Sequence, residues 1–94
     1  MALESNVEQT VAAWAENNGW ETRKMAYAGR RGCRDRDFYG YGSIVLIEFK
    51  QKGKPLRIDQ EKERYRLARA GVTVHVIDTV EAGIALLQGL MGGR

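Results

Sequence analysis

A chain of 94 residues, 44% hydrophobic and 29% charged, is sized for one small domain, residues 1–94, with a modest core. A single cysteine, Cys33, excludes intrachain disulfides and thiolate metal clusters and fits a reducing compartment. No apolar run is long enough to cross a membrane and Met-Ala-Leu-Glu-Ser lacks signal-peptide character, so the expected setting is the cytoplasm, without a membrane partner. The net charge of +3 admits nucleic acid as a partner without requiring it.

Residues 5–18 read as a first helix. Ser5-Asn6-Val7-Glu8 fits a capping box, Val7, Val11, Trp14 and Ala15 repeat at helical spacing, and Asn17-Asn18-Gly19 is a stop signal. Residues 20–27 read as a strand, 28–34 as a Gly- and Arg-rich loop, and 35–39 as a second strand. Gly40-Tyr41-Gly42 turns the chain back into a third strand over residues 43–50. Its successive apolar residues suggest cover on both faces, with Ile44, Leu46, Glu48 and Lys50 on one and Val45, Ile47 and Phe49 on the other. A carboxylate and an ammonium thus stand together at the end of a central strand. Such charge is costly to bury unless paired or coordinated. Taken alone, Glu-x-Lys reads as a salt bridge at the edge of the core.

Residues 51–56 form a loop with Gly53 and the only proline, Pro55. A second helix follows from Arg57 or Ile58 to Ala70, closed by Gly71. Asp59 suits its dipole, and Glu61/Arg64 and Glu63/Arg66 form i,i+3 pairs on what reads as a solvated face. Residues 72–77 alternate as a fourth strand. Residues 79–90 form a last amphipathic helix, with Thr79 as N-cap and Ile84, Leu87 and Met91 on one side, before a frayed Gly92-Gly93-Arg94 end. A helix between the third and fourth strands permits a parallel crossover, so the fold class is α/β, with a mixed sheet flanked by helices.

Across the expected hairpin, Asp35 comes beside Glu48 and Lys50, since neighbouring strands lie roughly 5 Å apart. Two carboxylates can hold Mg²⁺ or Mn²⁺ through hard oxygen ligands, with a phosphate oxygen and a water completing the shell. A lysine there can orient or help deprotonate the water and offset charge. Glu8 is a further candidate ligand if the first helix packs on this edge.

These residues carry a resemblance. Asp35 and Glu48-Phe49-Lys50 resemble the PD-(D/E)xK nuclease superfamily. Glu8, Gly32-Cys33-Arg34-Asp35-Arg36, Gln60 and Leu67-Ala68-Arg69-Ala70-Gly71 extend the likeness to its virus-type replication-repair nuclease (VRR-NUC) domain, over nearly the whole chain. The chain also resembles archaeal Holliday-junction resolvases through Glu8 and Gly19-Trp20. Arg34 departs from the pattern, which has proline there; the change would loosen the loop and add positive charge. Arg57 replaces a frequent capping serine.

The resemblance implies a restriction-endonuclease-like αβββαβ core and a Mg²⁺- or Mn²⁺-dependent endodeoxyribonuclease. Its catalytic set would be Glu8, Asp35, Glu48, Lys50 and Gln60, with Asp35, Glu48 and Glu8 toward the metal. Lys24, Arg30, Arg31, Arg34, Arg36, Lys52 and Lys54 would meet DNA phosphates. Branched DNA such as a four-way junction is the substrate it implies, and two coupled cuts call for a homodimer. A repair or restriction-like endonuclease on duplex or flap DNA, and a non-catalytic DNA-binding module, are the alternatives. Tyr39 and Tyr41 read as packing or interface residues and His75 as an ordinary strand residue; Cys33 is assigned no chemistry.

Overall fold

The computed structural model describes residues 4–92. The expected Ser5 cap and the Gly93-Arg94 end fall outside the described side chains and residues. The elements run α1 (Glu4–Asn17), β1 (Glu21–Lys24), β2 (Arg36–Gly40), β3 (Ser43–Phe49), α2 (Ile58–Arg69), β4 (Val74–Ile77) and α3 (Val80–Met91). The sheet order is β1-β2-β3-β4. β1/β2 and β2/β3 are antiparallel, and β3/β4 is parallel. This is the expected α/β arrangement, a mixed sheet between helices.

The hairpin is set by its turn. Tyr41 (φ 52°) and Gly42 (φ 77°) both lie in the left-handed region, the two-residue turn whose twist matches paired strands. Gly40 therefore pairs with Ser43 and Arg36 with Ile47. Phe38, Val45, Ile47 and Phe49 bury one face of the sheet against Val7, Val11 and Ala15 of α1 and Leu87 of α3, each 3% exposed or less. Burying each of the larger of these side chains contributes about 1.5–3 kcal/mol. Gly83 lets the two helices approach closely, since a Cβ there would lie 2.8 Å from the Val11 side chain. Thr79 caps α3 as expected, accepting a hydrogen bond from the Ala82 amide at 3.1 Å.

Three expectations need correction. β1 ends at Lys24 rather than at residue 27. The Met25 amide still bonds the Asp35 carbonyl at 2.9 Å, after which Tyr27 turns its hydroxyl to Glu63 on α2. β4 begins at Val74 rather than at Val72, because the Val72 amide closes the end of α2 on the Leu67 carbonyl at 2.8 Å. The third strand is not covered on both faces. Ile44 is 67% exposed, and α2 covers only the end of the sheet nearer Glu48.

α2 is bound to the sheet in an unusual way. Its one buried residue is Glu63, 6% exposed; of the residues expected on a solvated face, Glu61, Arg64 and Arg66 are exposed and Glu63 turns inward.

Candidate active site

The register that pairs Arg36 with Ile47, continued by one residue, sets Asp35 opposite Glu48. Asp35 sits just before β2, with its amide on the Ile47 carbonyl at 3.1 Å and its carboxylate accepting from the Phe49 amide at 2.7 Å. Its side chain is therefore fixed by the backbone of the strand that carries Glu48. Glu48 is 3% exposed and accepts a hydrogen bond from the Gln60 side-chain amide of α2. The other end of that amide, Gln60 Oε1, accepts from the Arg57 amide at the start of α2 at 2.9 Å. With both ends engaged, the orientation of the Gln60 side chain is set.

Lys50 follows Glu48 by two residues, but its ammonium turns toward the loop. Nζ donates to the Lys54 carbonyl at 2.6 Å and the Gln51 carbonyl at 3.4 Å, and Asp78 Oδ2 lies 3.8 Å away. Asp78 belongs to no motif of the sequence. It follows β4, and Ile77 of β4 pairs with Phe49, so the parallel crossover itself brings Asp78 beside Lys50. Lys50, Gln51, Lys54, Arg57 and Gln60 line a cleft of about 220 Å³ next to these groups.

Glu8 stands apart from this pair. It is 7% exposed, and its Oε2 accepts from Lys24 Nζ at 2.7 Å and Arg36 Nε at 2.8 Å. Lys24 and Arg36 are cross-strand partners on the α1 side of the sheet, whereas Glu48 faces α2. Among the described residues no three His, Cys, Asp or Glu side chains gather into a group that could hold a metal ion. The expected third ligand is thus occupied as a counter-ion in this structure.

Arg34 does not leave the loop loose. Its guanidinium forks onto Asp37, Nε to Oδ1 and Nη2 to Oδ2, both at 2.7 Å, and that bond holds its pKa above the ordinary arginine value. The pair is largely buried and straddles Asp35, so a buried ion pair pins the backbone where the family pattern has proline. Arg30 and Arg31, expected on a DNA rim, reach Glu63 at 3.0 Å and Asp59 at 3.4 Å while remaining exposed. Lys52 and Lys54 are exposed. Burial pushes the Cys33 thiol up.

The donor set fits a hard divalent cation. Asp35 and Glu48 supply carboxylate oxygens, the hard donors that a divalent cation such as Mg²⁺ prefers.

No family model matches the sequence, and no curated protein matches it. Among solved structures, one described as a VRR_NUC domain superimposes with a TM-score of 0.80 and 25% identity, covering 90% of this chain and 94% of that one.

Proposed function

We propose that this chain, whose fold is that of a VRR-NUC domain, is a metal-dependent endodeoxyribonuclease acting on branched DNA as a homodimer. The likeness supports a nuclease of the PD-(D/E)xK superfamily, and DNA follows as its substrate. The observation that carries the catalytic reading is the cross-strand placement of Asp35 opposite Glu48, with Gln60 bonded to Glu48.

Asp35 and Glu48 would hold Mg²⁺ or Mn²⁺, which when bound polarises a phosphate oxygen and makes a water more acidic. Gln60 keeps the Glu48 carboxylate in one orientation. The Phe49 amide does the same for Asp35. Lys50 orients the attacking water and offsets charge as it builds on the phosphate, exchanging its loop carbonyls for these partners. The cleft between Lys50 and Gln60 is the natural seat for the scissile phosphate. Lys52 and Lys54 lie beside it and meet flanking phosphates. Glu8 serves by holding Lys24 and Arg36 at the edge of the site.

The test is a cleavage assay on linear, flap and four-way DNAs with Mg²⁺ or Mn²⁺. Glu48→Gln keeps the size of the side chain and loses the anionic ligand, so cleavage should collapse while folding and DNA binding survive. Full activity of this variant, or of the wild type in EDTA, would remove the metal-dependent reading. Equal rates on all three DNAs would remove the preference for branches.

A further inference from the structure

α1 and α3 are held to the sheet by buried apolar side chains, whereas α2 buries none of its apolar residues fully. The face it turns inward carries Gln60, Glu63 and Leu67, one or two turns apart. Its first turn offers no apolar grip, because Ile58 is 73% exposed. Glu63 is its buried anchor, beside Arg64, whose Nε donates to the Val74 carbonyl of β4 at 3.2 Å. Glu63 Oε2 accepts from the Tyr27 hydroxyl at 2.7 Å, and Oε1 accepts from Arg30 at 3.0 Å and Arg66 at 3.3 Å. Tyr27 is tied back in turn. Its oxygen accepts from Arg34 Nη1 at 3.2 Å, and Arg34 is locked to Asp37 of β2. Gly32 lets the loop lie against the helix, since a Cβ there would meet the Asp59 carbonyl at 2.6 Å and the Glu63 Cβ at 3.3 Å. A chain of polar interactions therefore runs from β2, beside Asp35, to the middle of α2.

Gln60 lies one turn before Glu63 on the same face. We propose that Glu63, gripped by Tyr27, is a positioning residue that sets the rotation of α2 and so holds Gln60 on Glu48. The role in catalysis rests on the reading of Asp35 and Glu48 as the reactive centre; the positioning itself does not. Geometry shows why such a grip matters. A side-chain tip lies roughly 5–6 Å from the helix axis, so a turn of about 20° displaces it by roughly 2 Å. A hydrogen bond tolerates only a few tenths of an ångström. Leu67 packs two turns from the site and cannot by itself fix the angle of the first turn.

The Gln60 side-chain amide can be observed directly in ¹⁵N–¹H spectra, with Gln60→Ala identifying its signals. In the wild type they should lie away from those of solvated glutamines and exchange slowly. Tyr27→Phe removes one oxygen, leaves the ring in place, and should move them toward the solvated positions. Glu63→Gln, which keeps shape but loses the Arg30 ion pair, should do the same. Thr79→Ala, which weakens the cap of α3, should loosen the fold without moving them. In cleavage, Tyr27→Phe should lower kcat by about tenfold with the KM for DNA unchanged. In a Gln60→Ala background the same change should have no further effect. Gln60 signals unmoved by both Tyr27→Phe and Glu63→Gln would overturn the proposal, as would a Tyr27→Phe effect of equal size with and without Gln60. A wild type that cleaves no DNA would sink the nuclease reading alone, and the amide signals would still decide the positioning.

Discussion

At the scale of single residues, Lys50 and Glu63 show how charge is managed at the two ends of the site. Lys50 rests on the Lys54 carbonyl at 2.6 Å with Asp78 nearby. Lys50→Ala should lower turnover by about 10²-fold or more, the scale of a missing proton-transfer or charge-stabilising group, while Mg²⁺ binding measured by calorimetry persists. Loss of metal binding with DNA affinity unchanged would make Lys50 a structural residue. Glu63 is buried yet ionised. The hydrogen bond from Tyr27 holds its carboxyl below the usual range, and burial opposes this without overcoming it. A carboxyl whose folded pKa is depressed stabilises the fold above its unfolded pKa, about 4.3 for glutamate. That contribution disappears as pH falls through the lower folded value. The stability advantage of the wild type over Glu63→Gln should therefore be full near neutrality and shrink below about pH 4. Denaturant midpoints measured across that range check it, and an advantage independent of pH would show that Glu63 acts through shape alone.

At the scale of elements, the loop of residues 25–35 is the joint between sheet and helix. Gly32→Ala places a Cβ 2.6 Å from the Asp59 carbonyl at a φ of +89°. Gly29→Ala meets only the backbone strain, since its φ is +71° with no atom within 4 Å of the new Cβ. The strain alone costs about 1–2 kcal/mol, and overpacking adds about 1–3 kcal/mol. Urea denaturation should rank Gly32→Ala as clearly the more damaging, and equal losses of stability would mean that the loop yields freely. The same loop marks what the sequence could disclose. The pairing of Asp35 with Glu48 was legible because Gly40-Tyr41-Gly42 fixes a two-residue turn, and a short turn fixes the register. Gln60 near the start of a helix was legible as a motif. The anchoring of α2 was not. Glu63 and Arg66 at i,i+3 look like any exposed ion pair, and the partner that buries Glu63 is Tyr27, 36 residues away. Strand propensity carried β1 past Lys24, because nothing local announces that the Tyr27 hydroxyl is claimed by another element. Asp78 could have been found by following the end of the parallel strand rather than by motif.

At the scale of the whole molecule, charge and assembly decide how DNA is held. Replacing both Lys52 and Lys54 by alanine should reduce the salt dependence of DNA binding by about one unit of slope for each phosphate left without its cation; an unchanged slope would place the DNA elsewhere. The proposed dimer rests on the number of sites. If the Asp35–Glu48 pair is the reactive centre, one chain would cut one strand at a time, and resolving a four-way junction takes two nearly simultaneous cuts, which a two-fold dimer would supply by symmetry. Much of the aromatic material is used internally: Trp20 is 2% exposed and meets the Tyr41 ring at a tilt of 57° with centroids 5.2 Å apart, and Trp14 packs against the core. Among the described residues, the large apolar side chains left outside are Ile44 at 67% and Tyr41 at 41% on the hairpin, Ile58 at 73% and Tyr65 at 66% on α2, Val72 at 36% and Leu90 at 37%. A standard interface takes about 800 Å² from each partner, a small share of the 5882 Å² surface of this chain. Light scattering at micromolar concentration, on the protein alone and with a four-way junction, should report a dimer that introduces paired nicks. Ile44→Asp adds a charge where the side chain is already in solvent, so it should leave folding intact and weaken any dimer built on the hairpin face. A monomer in both states, with single uncoupled nicks in a supercoiled cruciform plasmid, would rule out the resolvase reading and leave a nicking endonuclease.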